Sequence, residues 1–278
     1  MMNTNNRPEI AKSIKTGSYK TNYHDQGEGF PVIFIHGSGP GVSAWANWRL
    51  IIPKISPYRR VLAPDMVGFG YTERPEGVEY TMDNWVQQMV DFMDALGIAQ
   101  ADLVGNSFGG GLALAMAVEY PERVRKLILM GAMGVNFPIT EGLDAVWGYT
   151  PSPENMLRML DLFVDDKSYA NQELANIRYE ASIEPGFQEA FSSMFPAPRQ
   201  RWVESMAKHE SRISEIKHPT LIVHGREDQV IPVDNAYKLI NMIDNAQLHI
   251  FGHTGHWTQI ERAHSFANLV NLFLDEEG

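Results

Sequence analysis

Short apolar runs closed by small or polar residues punctuate the first half of the chain. Val32-Ile33-Phe34-Ile35 runs into His36-Gly37, Val61-Leu62-Ala63 into Pro64-Asp65, Ala101-Asp102-Leu103-Val104 into Gly105, and Lys126-Leu127-Ile128-Leu129-Met130 into Gly131. These runs lack regular polar alternation, which predicts strands covered on both faces. Between them Trp85, Met89, Phe92, Met93 and Leu96 recur at helical spacing. That β-α-β rhythm predicts a parallel sheet. It stops after about Val135. From there to about His209 the pattern is helical, as in Met156 to Phe163 and Leu174 to Ala181, and is broken by Pro151, Pro153, Pro185, Pro196 and Pro198. The strand rhythm resumes at Thr220–Gly225 and Gln247–Gly252, and a final amphipathic helix runs through Phe266, Leu269, Val270 and Phe273. The expected organisation is an α/β core from 1–135 and 210–278, with a mostly parallel central sheet flanked by helices. A helical cap is inserted at 136–209.

Composition narrows the chemistry. The chain has 278 residues, 44% of them hydrophobic, a proportion typical of soluble globular proteins. Its 23 Lys and Arg against 34 Asp and Glu give a net charge of −11, which disfavours nucleic acid or an anionic membrane surface as a partner. Cysteine is absent. That excludes disulfide scaffolds, thiolate metal sites and cysteine nucleophiles, and leaves oxygen and imidazole chemistry; separately, no metal and no cofactor are expected. The first residues carry no apolar signal-peptide core, and no stretch approaches the roughly 18 apolar residues of a membrane span, so a cytoplasmic protein is expected.

Gly105-Asn106-Ser107-Phe108-Gly109 is a G-x-S-x-G run between an apolar strand and the small-residue helix Gly110 to Ala117. In that context it reads as a nucleophile elbow, a sharp turn that presents a serine oxygen at a helix N-terminus. The plainer alternative is a glycine-rich turn with a capping serine. A serine nucleophile needs a base and a carboxylate to orient it. Asp228 follows the strand ending at Gly225, with Glu227 and Asp244 as rival acids; His256 follows the next strand, with His249, His253 and His264 as rivals. Serine, acid, histidine is the chain order of α/β-hydrolases. Oxyanion donors are then expected from the Phe108 amide and, after the first buried strand, from Ser38. There Gly37 and Gly39 let backbone approach a substrate.

These residues resemble the meta-cleavage product hydrolases, carbon–carbon bond hydrolases of aromatic catabolism within the α/β-hydrolase superfamily. The resemblance is carried by His36-Gly37-Ser38-Gly39-Pro40-Gly41-Val42-Ser43-Ala44-Trp45-Ala46-Asn47-Trp48, by Gly105 to Gly111 and by Gly255-His256-Trp257-Thr258-Gln259-Ile260-Glu261. Ile139 to Tyr149 and Met194 to Trp202 resemble the branch acting on ring-fission products of phenol, toluene and alkylbenzenes, so the likeness spans essentially the whole chain. One departure is Thr254, where the family commonly has cysteine.

The resemblance implies cleavage of 2-hydroxy-6-oxo-2,4-dienoates to 2-hydroxypenta-2,4-dienoate and a small carboxylic acid, by a homo-oligomer acting on a small-molecule dienoate. By the same resemblance Arg178 would bind the substrate carboxylate, although a surface arginine paired with Glu173 or Asp161 is the plainer reading. Asn47 and Asn106 would contact the dienoate oxygens and Trp257 would line the pocket, the alternative for each being turn or core material. Met133, Val203 and Ile231 would bound the acyl side, their medium size suiting hydrogen, methyl or small alkyl over phenyl, although core packing is their plainer reading. The alternative is a carboxylesterase or cofactor-free perhydrolase with the same triad.

Overall fold

In the computed structural model, which describes residues 7–276, two strands precede the first apolar run. β1 (Lys12–Thr16) and β2 (Tyr19–Gln26) pair as a hairpin, and the Thr16–Tyr19 partnership leaves Gly17-Ser18 as a two-residue loop with Gly17 at φ +56°. Hydropathy gives no hint of this hairpin, because β2 buries polar residues. Their groups are paired: Asn22 Nδ2 donates to Asp65 Oδ2 at 2.8 Å, and Gln88 Nε2 donates to Thr21 Oγ1 at 3.0 Å.

The chain continues through β3 (Pro31–Ile35), α1 (Ala44–Trp48), α2 (Ile52–Ile55), β4 (Arg60–Pro64), α3 (Met82–Ala95), β5 (Ala101–Asn106), α4 (Phe108–Glu119) and β6 (Val124–Met130). Between β6 and the next strand every described regular element is helical: α5 (Glu141–Trp147), α6 (Pro153–Phe163), α7 (Gln172–Ser182), α8 (Phe187–Met194), α9 (Gln200–Met206) and short 3-10 turns. Then follow β7 (Thr220–Gly225), α10 (Asp234–Met242), β8 (Ala246–Phe251), α11 (Thr258–Glu261) and α12 (Ala263–Asp275).

The eight strands form one sheet in the order β1-β2-β4-β3-β5-β6-β7-β8. β1 and β2 pair antiparallel to their neighbours, and β4 through β8 pair parallel. Successive side chains of the central strands enter opposite cores. Ile33, Ile35, Leu103 and Leu129 join the cluster under α3 and α4, while Val32, Phe34, Val104 and Met130 pack with Trp48 and Phe266 of α1 and α12. Both faces are dry, which is why these strands read as unbroken apolar runs.

Register sets the position of the site. Ile35 lies opposite Gly105, Asn106 opposite Met130, and Met130 opposite Val223, so β3, β5, β6 and β7 end along one edge. The chain leaves β3 toward β4 on one side and returns to β5 on the other. The loops after β3 and β5 therefore flank a switch-point crevice, the usual ligand position in an open α/β sheet.

Candidate active site

Ser107 sits between β5 and α4 at φ 53° and ψ −113°, a backbone state that costs a non-glycine residue about 1–3 kcal/mol. Packing enforces it. A Cβ on Gly105 would come 2.2 Å from Gly109 O, and one on Gly109 would come 2.3 Å from Ile35 O, so the flanking positions accept only glycine. Ser107 N donates to Met130 O at 2.9 Å and Ser107 O accepts from Met133 N at 3.0 Å, pinning the turn to β6 and the loop after it. The hydroxyl does not cap α4, and among the described residues it makes no hydrogen bond. It stands at the positive end of the helix dipole, where developing negative charge is favoured.

Asp228 is held in the loop after β7. Its Oδ1 accepts from Val230 N (2.8 Å) and Ile231 N (2.9 Å), and its Oδ2 meets His256 Nδ1 at 2.7 Å. Burial works against ionisation of this carboxyl, but the charge and hydrogen bonding of His256 and His224 hold it well below the ordinary carboxylate range. A carboxylate at Nδ1 places that proton and leaves His256 Nε2 as the basic nitrogen. The rivals are engaged elsewhere. Glu227 accepts from Thr254 N, Asp244 pairs with Lys217, His253 is exposed, His264 contacts Asn268, and His249 packs on Phe251.

The loop bearing His256 is tied down from several directions. Thr254 is fully buried; its hydroxyl accepts from Arg262 Nε at 2.9 Å and donates to Gly252 O at 3.2 Å. Glu261 accepts from Gly255 N at 2.7 Å and from Asp165 N at 3.0 Å. Phe163 at the end of α6 stacks on Trp257 with centroids 4.7 Å apart and lies 5.8 Å from the His256 ring.

Across the crevice, His36 is fully buried. Its Nε2 accepts from Met66 N at 3.0 Å, so Nδ1 carries the proton and donates to Gly37 O at 2.8 Å. Asn47 Oδ1 accepts from Gly37 N at 3.2 Å. Ser38 Oγ accepts from Trp147 Nε1 of α5 at 3.1 Å, and Trp147 is in turn stacked on Phe195. The amides of Ser38 and Phe108 donate to no other described residue.

Eight of the sequence-predicted residues, Gly37, Ser38, Gly39, Asn47, Asn106, Arg178, His256 and Trp257, line one cavity of about 620 Å³ that is partly open to solvent. Its apolar wall comes from Val42, Met159, Leu160, Phe163, Leu174 and Ile260. Arg178 on α7 donates to Pro40 O at 3.4 Å and pairs with neither Glu173 nor Asp161; Asp161 is taken by Lys167. Burial and then the neighbouring Arg49 lower the Arg178 pKa to about 10, so it stays charged at neutral pH. Met133, Val203 and Ile231 are fully buried and do not line this cavity.

Four contributors have no local sequence signal: Arg49 and Gln259 in the lining, Trp147 on Ser38, and His224, whose Nε2 lies 3.3 Å from Asp228 Oδ2 and 3.0 Å from Ile231 O. Both neighbours of that nitrogen are acceptors, so it carries a proton shared between them.

Comparison with known proteins places these features. A family model described as the alpha/beta hydrolase fold matches residues 31–263. The chain is 59% identical to 2-hydroxymuconate semialdehyde hydrolase of Pseudomonas sp. (strain CF600), over 98% of this chain and 96% of that one. It is 55% identical to 2-hydroxy-6-oxo-2,4-heptadienoate hydrolase of Pseudomonas putida F1, over 99% of each. Among solved structures, the meta-cleavage product hydrolase CumD from Pseudomonas fluorescens IP01, a serine-to-alanine variant complexed with acetates, superposes with a TM-score of 0.96. That pair shares 58% identity over 97% of this chain and 99% of the other.

Proposed function

The chain belongs to the meta-cleavage product hydrolases of the α/β-hydrolase superfamily, and from that premise we propose that it hydrolyses a carbon–carbon bond in 2-hydroxy-6-oxo-2,4-dienoates from aromatic ring fission. The products are 2-hydroxypenta-2,4-dienoate and a small carboxylic acid. The observation that carries the reading is the union, in one cavity, of His256 backed by Asp228 with Arg178, a charged guanidinium that forms no ion pair with a carboxylate among the described residues. A simple ester hydrolase has no need of the second feature. A dienoate does, because its carboxylate must leave water to enter.

Carbon is a poor leaving group, so the dienol first ketonises, with a proton added at C5 while the C2 hydroxyl becomes a carbonyl. Ser107 then attacks the C6 carbonyl as His256 Nε2 takes its proton. The Ser38 and Phe108 amides receive the oxyanion, an arrangement generally worth about 3–4 kcal/mol per well-placed donor. As C5–C6 breaks, its electron pair passes through to the C2 oxygen, His256 hands the proton it took from Ser107 to that departing dienolate to regenerate the dienol, and the acyl group stays on Ser107. Water, deprotonated by His256, releases the acid. No step calls for a metal or an organic cofactor.

Residues 136–209 act as the cap that delivers Arg178, Phe163 and Trp147 to the site. Asn47 and Asn106 face the dienoate oxygens with Gly37 and Gly39 backbone, and Trp257 lines the wall. Met133 N bonds to Ser107 O and Ile231 N to Asp228 Oδ1, which sets these two residues beside the triad; although they and Val203 lie outside the cavity lining, we propose that they shape the acyl end from behind it. Their size supports hydrogen, methyl or small alkyl there. Among the described residues no helix is long and apolar enough to cross a membrane, in keeping with a cytoplasmic enzyme, which we take to be a homo-oligomer. A panel of dienoates bearing hydrogen, methyl, isopropyl and phenyl, followed by loss of dienolate absorbance, tests the function. Fastest turnover is expected for the small substituents; turnover of p-nitrophenyl acetate with none of any dienoate contradicts it.

A further inference from the structure

Arg178 shares its cavity with a second guanidinium, that of Arg49, immediately after α1. Each spends one N–H on a backbone carbonyl: Arg49 Nη1 on Ala46 O at 2.5 Å, and Arg178 Nη2 on Pro40 O at 3.4 Å. Among the described residues neither forms an ion pair; Glu9 acts on both, but from beyond ion-pair distance. Burial lowers the pKa of both, and Arg49 lowers that of Arg178 further, so the two like charges are close enough to repel. A third donor in the same cavity is unused. Asn47 is 7% exposed, and its Nδ2 has no partner among the described residues.

Two neighbouring cations and an orphaned amide donor, all lining one partly closed space, are costly unless a ligand brings matching negative charge. A monocarboxylate brings one charge. A 2-hydroxydienoate ionised at its enol brings two, on the C1 carboxylate and the C2 oxygen of adjacent carbons.

We propose that Arg49 is a second substrate-binding cation, pairing with the C2 oxyanion while Arg178 takes the C1 carboxylate, so that the pocket takes up the dienoate as a dianion. This rests on the carbon–carbon hydrolase reading above. The enol O–H bond breaks on binding, its electron pair stays on oxygen and its proton goes to bulk water; no carbon bond changes. Ketonisation then starts from the electron-rich dienolate, which accepts a proton at C5 more readily than the neutral dienol does.

The probe is the methyl-substituted dienoate bound to the Ser107→Ala protein, whose absorbance against pH reads the enol pKa of the bound ligand. Adding Arg49→Met should raise that pKa by about one unit or more, and in the Ser107 protein it should raise KM about tenfold. Arg49→Lys keeps the charge and should recover most of both effects. An unchanged bound-enol pKa and KM in Arg49→Met overturns the assignment, as does a lowered melting temperature with the bound-enol pKa unmoved. If the unsubstituted protein does not cleave the dienoate, the underlying reading fails; if it does and Arg49→Met is silent, only the role of Arg49 falls.

Discussion

The indole of Trp147 donates to the hydroxyl of Ser38 at 3.1 Å, joining α5 to the loop after β3 that carries the proposed oxyanion donor. Trp147 is itself fixed by stacking on Phe195, centroids 4.4 Å apart and planes within 8°. α5 therefore helps to hold the loop that carries the Ser38 amide. Trp147→Phe keeps the stack and removes the donor, so kcat should fall about tenfold, as expected from a misplaced oxyanion donor, with KM changed much less. Steady-state kinetics on the preferred dienoate checks this; a rise in KM at constant kcat would mean that Trp147 serves only as a pocket wall.

Thr254 is fully buried, and its hydroxyl both accepts from Arg262 and donates to Gly252 O. Valine there fills the space and strands both partners. Thr254→Val should cost about 1–3 kcal/mol of stability, the usual penalty for unsatisfied buried polar groups, measured by urea unfolding. Thr254→Cys should cost less, because a thiol remains a weak donor and acceptor.

His36 predicts a pH dependence. Burial pushes its pKa from 6.5 down to about 4, so the unfolded chain takes up a proton between those values that the folded one refuses. Stability from this group is complete above pH 6.5 and is lost as the pH falls toward 4. Asp65 works in the opposite sense. Burial raises its pKa to about 6, so its folded form gains stability as the pH drops from 6 toward 4. The wild-type profile mixes the two, and the difference between wild type and His36→Asn isolates the histidine. That difference in unfolding free energy should shrink by about 3 kcal/mol between pH 7.5 and 4. A constant difference would show that His36 is not held neutral.

Much of the site is legible in the sequence because it follows from short-range geometry. Gly105, Ser107 and Gly109 announce a turn that steric contact alone can enforce, and Asp228 and His256 lie just beyond strands that a parallel sheet must end on one edge. His256 is already favoured over His253 and His249 by its place in Gly255-His256-Trp257, and the structure adds its contact with Asp228. Contacts between distant segments left no trace. Trp147 reaches Ser38 across 109 positions, and Arg49 lies two residues from a recognised asparagine yet shows its role only through the cavity it shares with α7. Polar β2 stayed hidden because its burial depends on partners such as Asp65 and Gln88, which no local pattern announces.

The central claim is that Ser107 is the nucleophile of carbon–carbon cleavage. Its most direct test is a rapid mixing of excess Ser107→Ala protein with the methyl-substituted dienoate, followed by absorbance and by acetate release. The prediction is tight binding with a perturbed dienolate spectrum and acetate release slowed about 10³-fold or more relative to wild type. Acetate released at the wild-type rate would contradict it.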